Sequence, residues 1–234
     1  SDPCCAAGTR AGRYPAMMRV ETIGNATLYL ASNEVLQEVS GGGYSGAAIV
    51  TDPPYGVDVL VNFAKGKRGK AQVDGRQFQP VIGNDKPFDP TPWLDYPEVL
   101  LWGANHYAGR LPQEPGRWLV WDKRGPHIPP RNQADCEIAW VKKYGAARVY
   151  RHVWDGMVRD SERGEQRQHP TQKPVALMEW CLKFIKADHI IDPYMGSGTT
   201  GVAAMLQRRK FTGVEIDPIY FDVACKRIED AQRQ

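Results

Sequence analysis

The chain has 234 residues and 42% hydrophobic content, which is enough for one large domain with a buried core. Its net charge of +3 lacks the strongly basic balance that would by itself indicate a nucleic-acid binder. No apolar run reaches the ~20 residues of a membrane-spanning helix, so we expect no membrane association. Five cysteines without metal-type spacing predict neither a bound metal nor a disulfide framework, and they favour a reduced, cytoplasmic setting.

Strand-like runs alternate with helical patterns along the chain. The runs are rich in β-branched and aromatic residues and lie at 27–30, 47–51, 99–102, 118–121, 148–153, 189–192 and 211–215. Helical spacing of apolar residues covers 174–185 and 218–231, where Pro174 and Pro218 suit a first helical turn and Asp217 suits a cap. This alternation predicts an α/β fold with a three-layer, largely parallel sheet.

Three regions fall outside this pattern. We expect residues 1–18 to be a flexible N-terminal extension and residues 19–234 to form a single domain. Residues 63–92 are rich in Gly, Lys and Pro, and residues 122–135 are proline-rich, so both are expected to be surface loops. Trp154 follows a predicted strand and is expected to belong to the core.

The stretch TDPPYG, residues 51–56, follows an apolar run and places an acid before two prolines. Pro53 and Pro54 fix two φ angles, and the first of them keeps Asp52 in an extended conformation. The Asp52 carboxylate and the Pro53 carbonyl would be neighbouring acceptors beside the flat ring of Tyr55, an arrangement that suits a planar group bearing an NH2. An ordinary Asp-Pro turn explains the same residues equally well.

A glycine-rich turn lies near the other end of the chain. The strand at 189–192 runs into Gly196, Gly198 and Gly201, a helix follows, and the next strand ends at Glu215, 19 residues beyond the first glycine. This βαβ pattern with its acid is typical of a site for an adenosine-bearing cofactor, in which the carboxylate accepts hydrogen bonds from two ribose hydroxyls. Both NAD and S-adenosylmethionine satisfy it. No Gly-Lys-Ser/Thr follows, so the turn is not a Walker loop.

TDPPYG, HPTQKP at 169–174 and DPYMGSGTTG at 192–201, in this order, resemble the motifs of the beta group of DNA amino-methyltransferases. The likeness is greatest to the small phage and prophage adenine-N6 enzymes. It implies a Rossmann-like class I methyltransferase sheet with circularly permuted motif order, the catalytic half first and the cofactor-binding half last. It implies transfer of a methyl group from S-adenosylmethionine to the N6 amine of a flipped-out adenine in double-stranded DNA. The sequence leaves the oligomeric state open, with a homodimer as the candidate assembly.

Three other activities stay open at this stage. Cytosine-N4 methylation and RNA adenine methylation need similar pocket chemistry. An NAD-binding oxidoreductase is a more distant alternative, because it would leave TDPPYG and HPTQKP unexplained.

The resemblance also implies roles for individual residues. Catalysis is assigned to Asp52, Pro53, Pro54 and Tyr55. Cofactor binding is assigned to His169, Thr171, Lys173, Asp192, Tyr194, Gly196, Ser197, Gly198, Thr199 and Glu215. Helix capping is an alternative role for Thr171.

The sequence departs from the family pattern at two places. Tyr194 stands where phenylalanine is usual, and Ser32 and Asn33 stand where relatives often have an aspartate.

For DNA contacts, the candidates are basic residues of one glycine-rich loop: Lys65, Lys67, Arg68, Lys70 and Arg76. They suit phosphate binding, although a solvated loop would have the same composition. The sequence leaves no room for a large separate target-recognition domain, so we expect modest sequence selectivity.

Overall fold

The computed structural model describes residues 18–40, 46–56, 71–73, 76–78, 81–124, 134–155 and 158–234. The strands in these ranges are β1 (Arg19–Ile23), β2 (Ala26–Leu30), β3 (Ala48–Thr51), β4 (Ala71–Val73), β5 (Arg76–Phe78), β6 (Glu98–Trp102), β7 (Arg117–Asp122), β8 (Cys136–Val141), β9 (Arg148–Arg151), β10 (Trp154–Asp155), β11 (Val158–Arg159), β12 (His189–Asp192) and β13 (Lys210–Glu215). The helices are α1 (Val35–Ser40), α2 (Val175–Leu182), α3 (Thr199–Leu206) and α4 (Pro218–Gln232), and single 3-10 turns lie at Thr91–Trp93, Ala104–His106 and Ala108–Arg110.

Nine strands form the main sheet, in the order β1-β2-β13-β12-β3-β6-β8-β7-β9. The five strands from β2 to β6 in this order are parallel, while β8 runs antiparallel to both β6 and β7. Strand β12 therefore lies beside β3 at the centre of the sheet, although β3 is far earlier in the chain. The glycine-rich turn and TDPPYG follow these two neighbouring parallel strands, so they meet at one edge of the sheet.

Alternate residues of the central strands enter two separate cores. Ala48, Val50 and Leu100 pack in the core beneath α2, α3 and α4, whereas Ile49 and Leu101 pack on the other face, with α1 and the 3-10 turns. This period-two division follows from the pleat of a strand that is buried on both faces. The mostly parallel sheet with packed layers on both faces confirms the predicted α/β fold class.

Each of the seven predicted strands is present, most of them within one or two residues of the predicted bounds. The run predicted at 148–153 ends earlier, at Arg151. Strands β1 and β8 were not predicted. Strand β1 lies at the exposed edge of the sheet, and none of its five residues is fully buried. Its charged residues therefore leave no clear alternation of apolar and polar positions from which a strand could be predicted.

The predicted loop at 63–92 is partly wrong: residues 81–90 contain neither helix nor strand, as expected, but other described residues do not form a loop. Strands β4 and β5 pair as an antiparallel hairpin, and a 3-10 turn lies at Thr91–Trp93. Three-residue strands are too short to show a periodic pattern. Residues 1–17 and most of 122–135 lie outside the described ranges, so the predictions for them are untested.

The helices largely follow the predicted apolar stripes. In α4 the side chains of Phe221, Ala224 and Ile228 are fully buried, and Asp217 caps the helix by accepting a hydrogen bond from the Ile219 N–H at 2.8 Å. Helix α2 ends at Leu182, three residues earlier than its pattern suggested. Among the described helices, none has both the length and the apolar character needed to cross a bilayer.

Trp154 belongs to the core, as expected. Its side chain is 5% exposed, and the Arg159 guanidinium lies 4.7 Å above its ring.

Candidate active site

A cavity of about 220 Å³ opens where β3, β12, β13 and β2 end. Nine of the residues predicted for the site line it: Asp52, Pro53, Pro54, Tyr55, His169, Thr171, Tyr194, Gly196 and Glu215. The topology thus brings three distant motifs to one place. The other five predicted residues, which are Lys173, Asp192, Ser197, Gly198 and Thr199, do not line the cavity.

The Asp52 carboxylate has two unequal oxygens. Its Oδ2 is paired with the ammonium of Lys173, while its Oδ1 is buried and has no hydrogen-bond partner among the described residues. Burial raises the pKa of Asp52 by more than the nearby Lys173 charge lowers it. A buried acceptor without a partner is costly, so this oxygen is suited to accept a hydrogen bond from a ligand in the cavity.

The ring of Tyr55 is stacked on His106, with centroids 4.6 Å apart and planes 4° from parallel. Gly103 lies against the edge of the same ring: its φ is +68°, and a Cβ there would be 2.4 Å from Tyr55 Cδ1. Only glycine satisfies both conditions. The sequence analysis did not identify His106, since no local motif connects it with TDPPYG.

The Glu215 carboxylate holds the glycine-rich turn. Its Oε2 accepts a hydrogen bond from the Gly196 N–H at 2.9 Å, and its Oε1 accepts from the N–H groups of Ile216 and Asp217 at 2.9 and 2.8 Å. A carboxylate offers about four acceptor positions, so about one position, on Oε2, is left for a ligand hydroxyl. Burial raises the pKa of Glu215 to about 7 despite these three bonds.

Asp192 lies behind the cavity and joins the two central strands. Its Oδ1 accepts hydrogen bonds from the Thr51 hydroxyl at 2.6 Å and the Tyr194 N–H at 3.1 Å. The side chain is buried, and burial raises its pKa to about 6. Its contacts in the structure position the loops after β3 and β12.

Ser197 and Thr199 face α4 instead of the cavity. Arg227 donates from Nη1 to the Ser197 carbonyl at 2.8 Å and to the hydroxyls of Ser197 and Thr199, both at 3.1 Å. Between them, Gly198 has a φ of +79°, and a Cβ there would lie 2.9 Å from Ala224 Cβ. These contacts fasten the turn to the helix.

His169 and Thr171 form one wall of the cavity. The Thr171 N–H donates to His169 Nδ1 at 3.3 Å, and burial lowers the pKa of His169 to about 3, so the ring is neutral at physiological pH. The capping alternative for Thr171 is wrong, because the first N–H of α2, on Val175, donates instead to Glu162 Oε2 at 3.0 Å.

Lys173 is not part of the cavity lining but is paired with Asp52, which is. Its ammonium contacts Asp52 and lies 3.1 Å from Glu137 Oε2, and the side chain is only 6% exposed. Glu137 in turn accepts a hydrogen bond from Lys123 Nζ at 2.9 Å. The sequence analysis missed Glu137 because it lies on the unpredicted strand β8.

Asn33 and Asn84 also line the cavity without having been assigned a role. Asn33 donates from Nδ2 to the Tyr194 hydroxyl at 2.7 Å, so the two departures from the family pattern are in direct contact. Asn84 accepts a hydrogen bond from the Gly56 N–H at 3.2 Å and ties its own segment to TDPPYG.

The proposed phosphate contacts cannot be placed. Lys65, Lys67, Arg68 and Lys70 lie outside the described residues, and Arg76 is described only as a backbone position in β5.

Two sequence relatives are similar to part of this chain. One is the Type II methyltransferase M2.DpnII of Streptococcus pneumoniae, which is 35% identical over 91 residues, covering 38% of this chain and 34% of that protein. The other is the DNA adenine methyltransferase YhdJ of Escherichia coli K12, which is 36% identical over 90 residues, covering 38% of this chain and 31% of that protein. The matches thus span about a third of the length of these curated relatives.

Two solved structures share the fold over most of this chain. The M1.HpyAVI–SAM complex is 26% identical, covering 86% of this chain and 99% of that chain, with a TM-score of 0.54. TTHA0409 from Thermus thermophilus, complexed with S-adenosyl-L-methionine, is 17% identical over 87% of this chain and 93% of that chain, with a TM-score of 0.50. This second likeness supports the fold alone.

A family model described as DNA methylase, for N6 and N4 methyltransferases, matches residues 98–226. That range is more than half of the chain, and it contains HPTQKP, the glycine-rich turn and Glu215. By this match, and in agreement with the three motifs gathered around the cavity, the chain belongs to the DNA methylase family.

Proposed function

We propose that this chain transfers a methyl group from S-adenosylmethionine to the exocyclic N6 amine of an adenine in double-stranded DNA. The observation that carries the proposal is the buried Asp52 Oδ1, which has no hydrogen-bond partner in the described part of the chain, on a residue that lines the same cavity as Glu215. The YhdJ relative, a DNA adenine methyltransferase, favours adenine over cytosine as the target. The M1.HpyAVI relative, a complex with SAM, favours that cofactor over NAD.

The cavity contains groups that suit the cofactor. Glu215 Oε2 is the acceptor for a ribose hydroxyl, Gly196 with its φ of +52° exposes backbone, and Tyr194 and Tyr220 offer aromatic surface. Asn33, which donates to the Tyr194 hydroxyl, adds an amide to the lining of the same cavity. S-adenosylmethionine supplies an electrophilic methyl group on a sulfonium sulfur. The proposed roles of Ser197 and Thr199 are indirect, since both hold the turn through Arg227.

The chemical task of the protein is to make a weak nucleophile react. The lone pair of an exocyclic adenine amine is delocalised into the ring. Asp52 Oδ1 and the Pro53 carbonyl, accepting one N–H bond each, would favour a pyramidal nitrogen with its lone pair directed at the methyl group. Preorganised acceptors of this kind contribute about 3–4 kcal/mol to transition-state stabilisation. The nitrogen–methyl bond would form as the sulfur–methyl bond breaks, S-adenosylhomocysteine would leave as a neutral thioether, and the methylated nitrogen would lose one proton to solvent. No covalent intermediate with the enzyme is needed.

The target base must leave the duplex to reach Asp52. Tyr55 is the stacking surface beside Asp52, and His106 already covers one face of its ring, so a base would stack on the opposite face. Pro54 lines the cavity next to this ring. We assign phosphate contacts to the basic loop with Lys65, Lys67, Arg68, Lys70 and Arg76, which would position the DNA without reading its sequence.

Both halves of the chain act as one methyltransferase domain in this proposal. The support is that β3 and β12, which carry the catalytic and cofactor-side motifs, are hydrogen-bonded neighbours in one sheet.

The test is methyl transfer by purified protein with isotopically labelled S-adenosylmethionine on unmethylated duplex DNA and on RNA, followed by digestion and mass spectrometry of the nucleosides. We expect N6-methyladenine from duplex DNA. Asp52→Ala should abolish the product and leave cofactor affinity nearly unchanged, while the control Asp95→Ala, at an exposed position, should behave as wild type. N4-methylcytosine as the product, or methylation of RNA alone, would contradict the proposal.

A further inference from the structure

Four charged side chains of alternating sign run from the protein surface to the proposed reaction centre. Lys123 Nζ lies 2.9 Å from Glu137 Oε1, Glu137 Oε2 lies 3.1 Å from Lys173 Nζ, and Lys173 contacts Asp52 Oδ2. The first two side chains are 24% and 26% exposed, whereas Lys173 is 6% exposed. Asp52, at the other end of the row, is 22% exposed and lines the cavity, so Lys173 is the buried link between two partly exposed ends.

Lys173 is held on three sides. Two carboxylates contact its ammonium, and the ring of Trp102 lies 5.2 Å from Nζ. Burying an ammonium is costly unless it is paired, and here Glu137 supplies a counter-charge in addition to Asp52. Because Glu137 is anchored on β8, at the centre of three paired strands, the position of Lys173 is set by the sheet.

The consequence for Asp52 is an asymmetric carboxylate. Lys173 occupies Oδ2, so the side chain cannot rotate freely and Oδ1 is the oxygen that is left for a ligand. An Asp52 side chain without this pair could turn either oxygen, or a proton, toward the amine.

We infer that Lys173 and Glu137 are positioning residues that touch neither substrate: Lys173 holds Asp52 ionised and oriented for the amine, and Glu137 holds Lys173 in place. This inference rests on the proposed function and goes beyond it, because it takes Lys173 away from the cofactor and gives a role to Glu137.

Opposite effects on the ionisation of Asp52 distinguish this inference from simple packing. The described charged and titratable groups that interact with Asp52 are Lys173, Glu137, Lys123, Asp192, Tyr55 and Tyr107. An ammonium in contact favours the carboxylate, and a nearby carboxylate disfavours it. Removing Lys173 should therefore raise the pKa of Asp52, and removing the Glu137 charge should lower it.

The sign of the activity change follows from the need for an acceptor. Methyl transfer requires ionised Asp52, so activity is present above its pKa and is lost as pH falls through that value. Lys173→Met should move this acidic limb to higher pH by about 1–3 units. Glu137→Gln should move it to lower pH.

The experiment combines two readouts on the full chain. The pH profile of kcat is measured for wild type, Lys173→Met and Glu137→Gln, and the Asp52 carboxyl is titrated by 13C NMR in aspartate-labelled protein, with Asp52→Asn to assign its signal. Lys142→Met is the control, because Lys142 is a half-buried lysine whose ammonium donates to the carbonyls of Leu94 and Tyr96 instead of to a carboxylate. We expect the control to leave both midpoints unchanged.

Calorimetry with S-adenosylmethionine completes the test. If Lys173 instead binds the cofactor, Lys173→Met would weaken binding at least tenfold and leave the Asp52 midpoint in place, which would overturn the inference. Shifts of both variants in the same direction would also overturn it. If Lys173→Met does not fold, Lys173→Arg replaces it and should keep the titration midpoint of Asp52 near that of the wild type. The inference then depends on whether Glu137→Gln lowers this midpoint.

The NMR titration needs no turnover, which separates the two proposals. A wild-type protein without methyl transfer on any nucleic acid would refute the proposed function, while opposite shifts of the Asp52 midpoint would still support the charge arrangement.

Discussion

Glu215 offers the sharpest test of the cofactor site, because one carboxylate serves both the protein and the ligand. In Glu215→Gln an NH2 replaces one oxygen, whichever way the amide is turned. That NH2 would face either the Gly196 N–H or the N–H groups of Ile216 and Asp217, which Glu215 now accepts at 2.8–2.9 Å. A donor would then point at a donor inside the protein.

The mismatch lowers the stability of the free and the bound protein alike. The affinity changes because the charged acceptor for the ribose hydroxyl is lost and the turn that it holds is displaced, which costs about 1–3 kcal/mol of binding free energy. Since a factor of ten corresponds to about 1.4 kcal/mol, we expect S-adenosylmethionine affinity to fall about 5- to 150-fold. Part of this loss is displacement of the turn at Gly196, and part is the weakened acceptor for the ribose.

The dependence on pH gives an independent check. The pKa of Glu215 is raised by burial to about 7 from an ordinary 4.5, so its folded-state contribution to stability is full below pH 4.5 and is lost as pH rises through about 7. Cofactor binding follows the opposite course, because the ionised acceptor is present above pH 7. Wild-type affinity should therefore rise between pH 6 and 8, and Glu215→Gln should show a flat profile.

Isothermal titration calorimetry at several pH values measures both effects. The control is Glu229→Gln, since Glu229 lies on α4 with a side chain 52% exposed, paired only at the surface with Arg233. Glu215→Gln that binds within twofold of wild type at pH 8, in a protein of unchanged melting temperature, would refute the assignment of Glu215 to the ribose.

Two further predictions concern the glycines and the helix around the site. Gly103→Ala should lower the unfolding free energy by about 1–2 kcal/mol and reduce methyl transfer, because it adds a Cβ 2.4 Å from Tyr55 at a φ of +68°. The control is Gly109→Ala, which adds a Cβ in open space. Equal behaviour of the two variants in thermal melts and activity assays would refute this reasoning. Arg227→Met should lower the unfolding free energy by about 1–3 kcal/mol and weaken cofactor binding, since three hydrogen bonds to the glycine-rich turn are lost. The control Arg233→Met, at a side chain that is 66% exposed, should do neither. The prediction fails if the two variants have the same melting temperature and the same affinity for the cofactor.

Much of the site could be predicted from sequence because its key features are local. The proline pair after Asp52, the spacing from Gly196 to Glu215 and the Asp217-Pro218 cap each depend on residues that are close along the chain, where backbone sterics act. The parallel strands could also be predicted, because strands that are buried on both faces have continuous apolar sequences. The fold class followed from these patterns, whereas the family followed from the resemblance of TDPPYG, HPTQKP and DPYMGSGTTG to motifs of known enzymes.

Only the tertiary structure decided which groups meet. The 121-residue separation of Asp52 and Lys173, and the placement of Glu137 on an unpredicted strand beside them, leave no periodic trace in the sequence. The same holds for the His106 stack on Tyr55 and for Arg227 behind the glycine-rich turn. Such contacts depend on strand order and side-chain direction across the sheet, which pairing of distant strands sets. The sequence therefore predicted that the Asp52 carboxylate accepts a hydrogen bond from an amine. Only the fold determined which oxygen of Asp52 is held by Lys173 and which is left for the ligand.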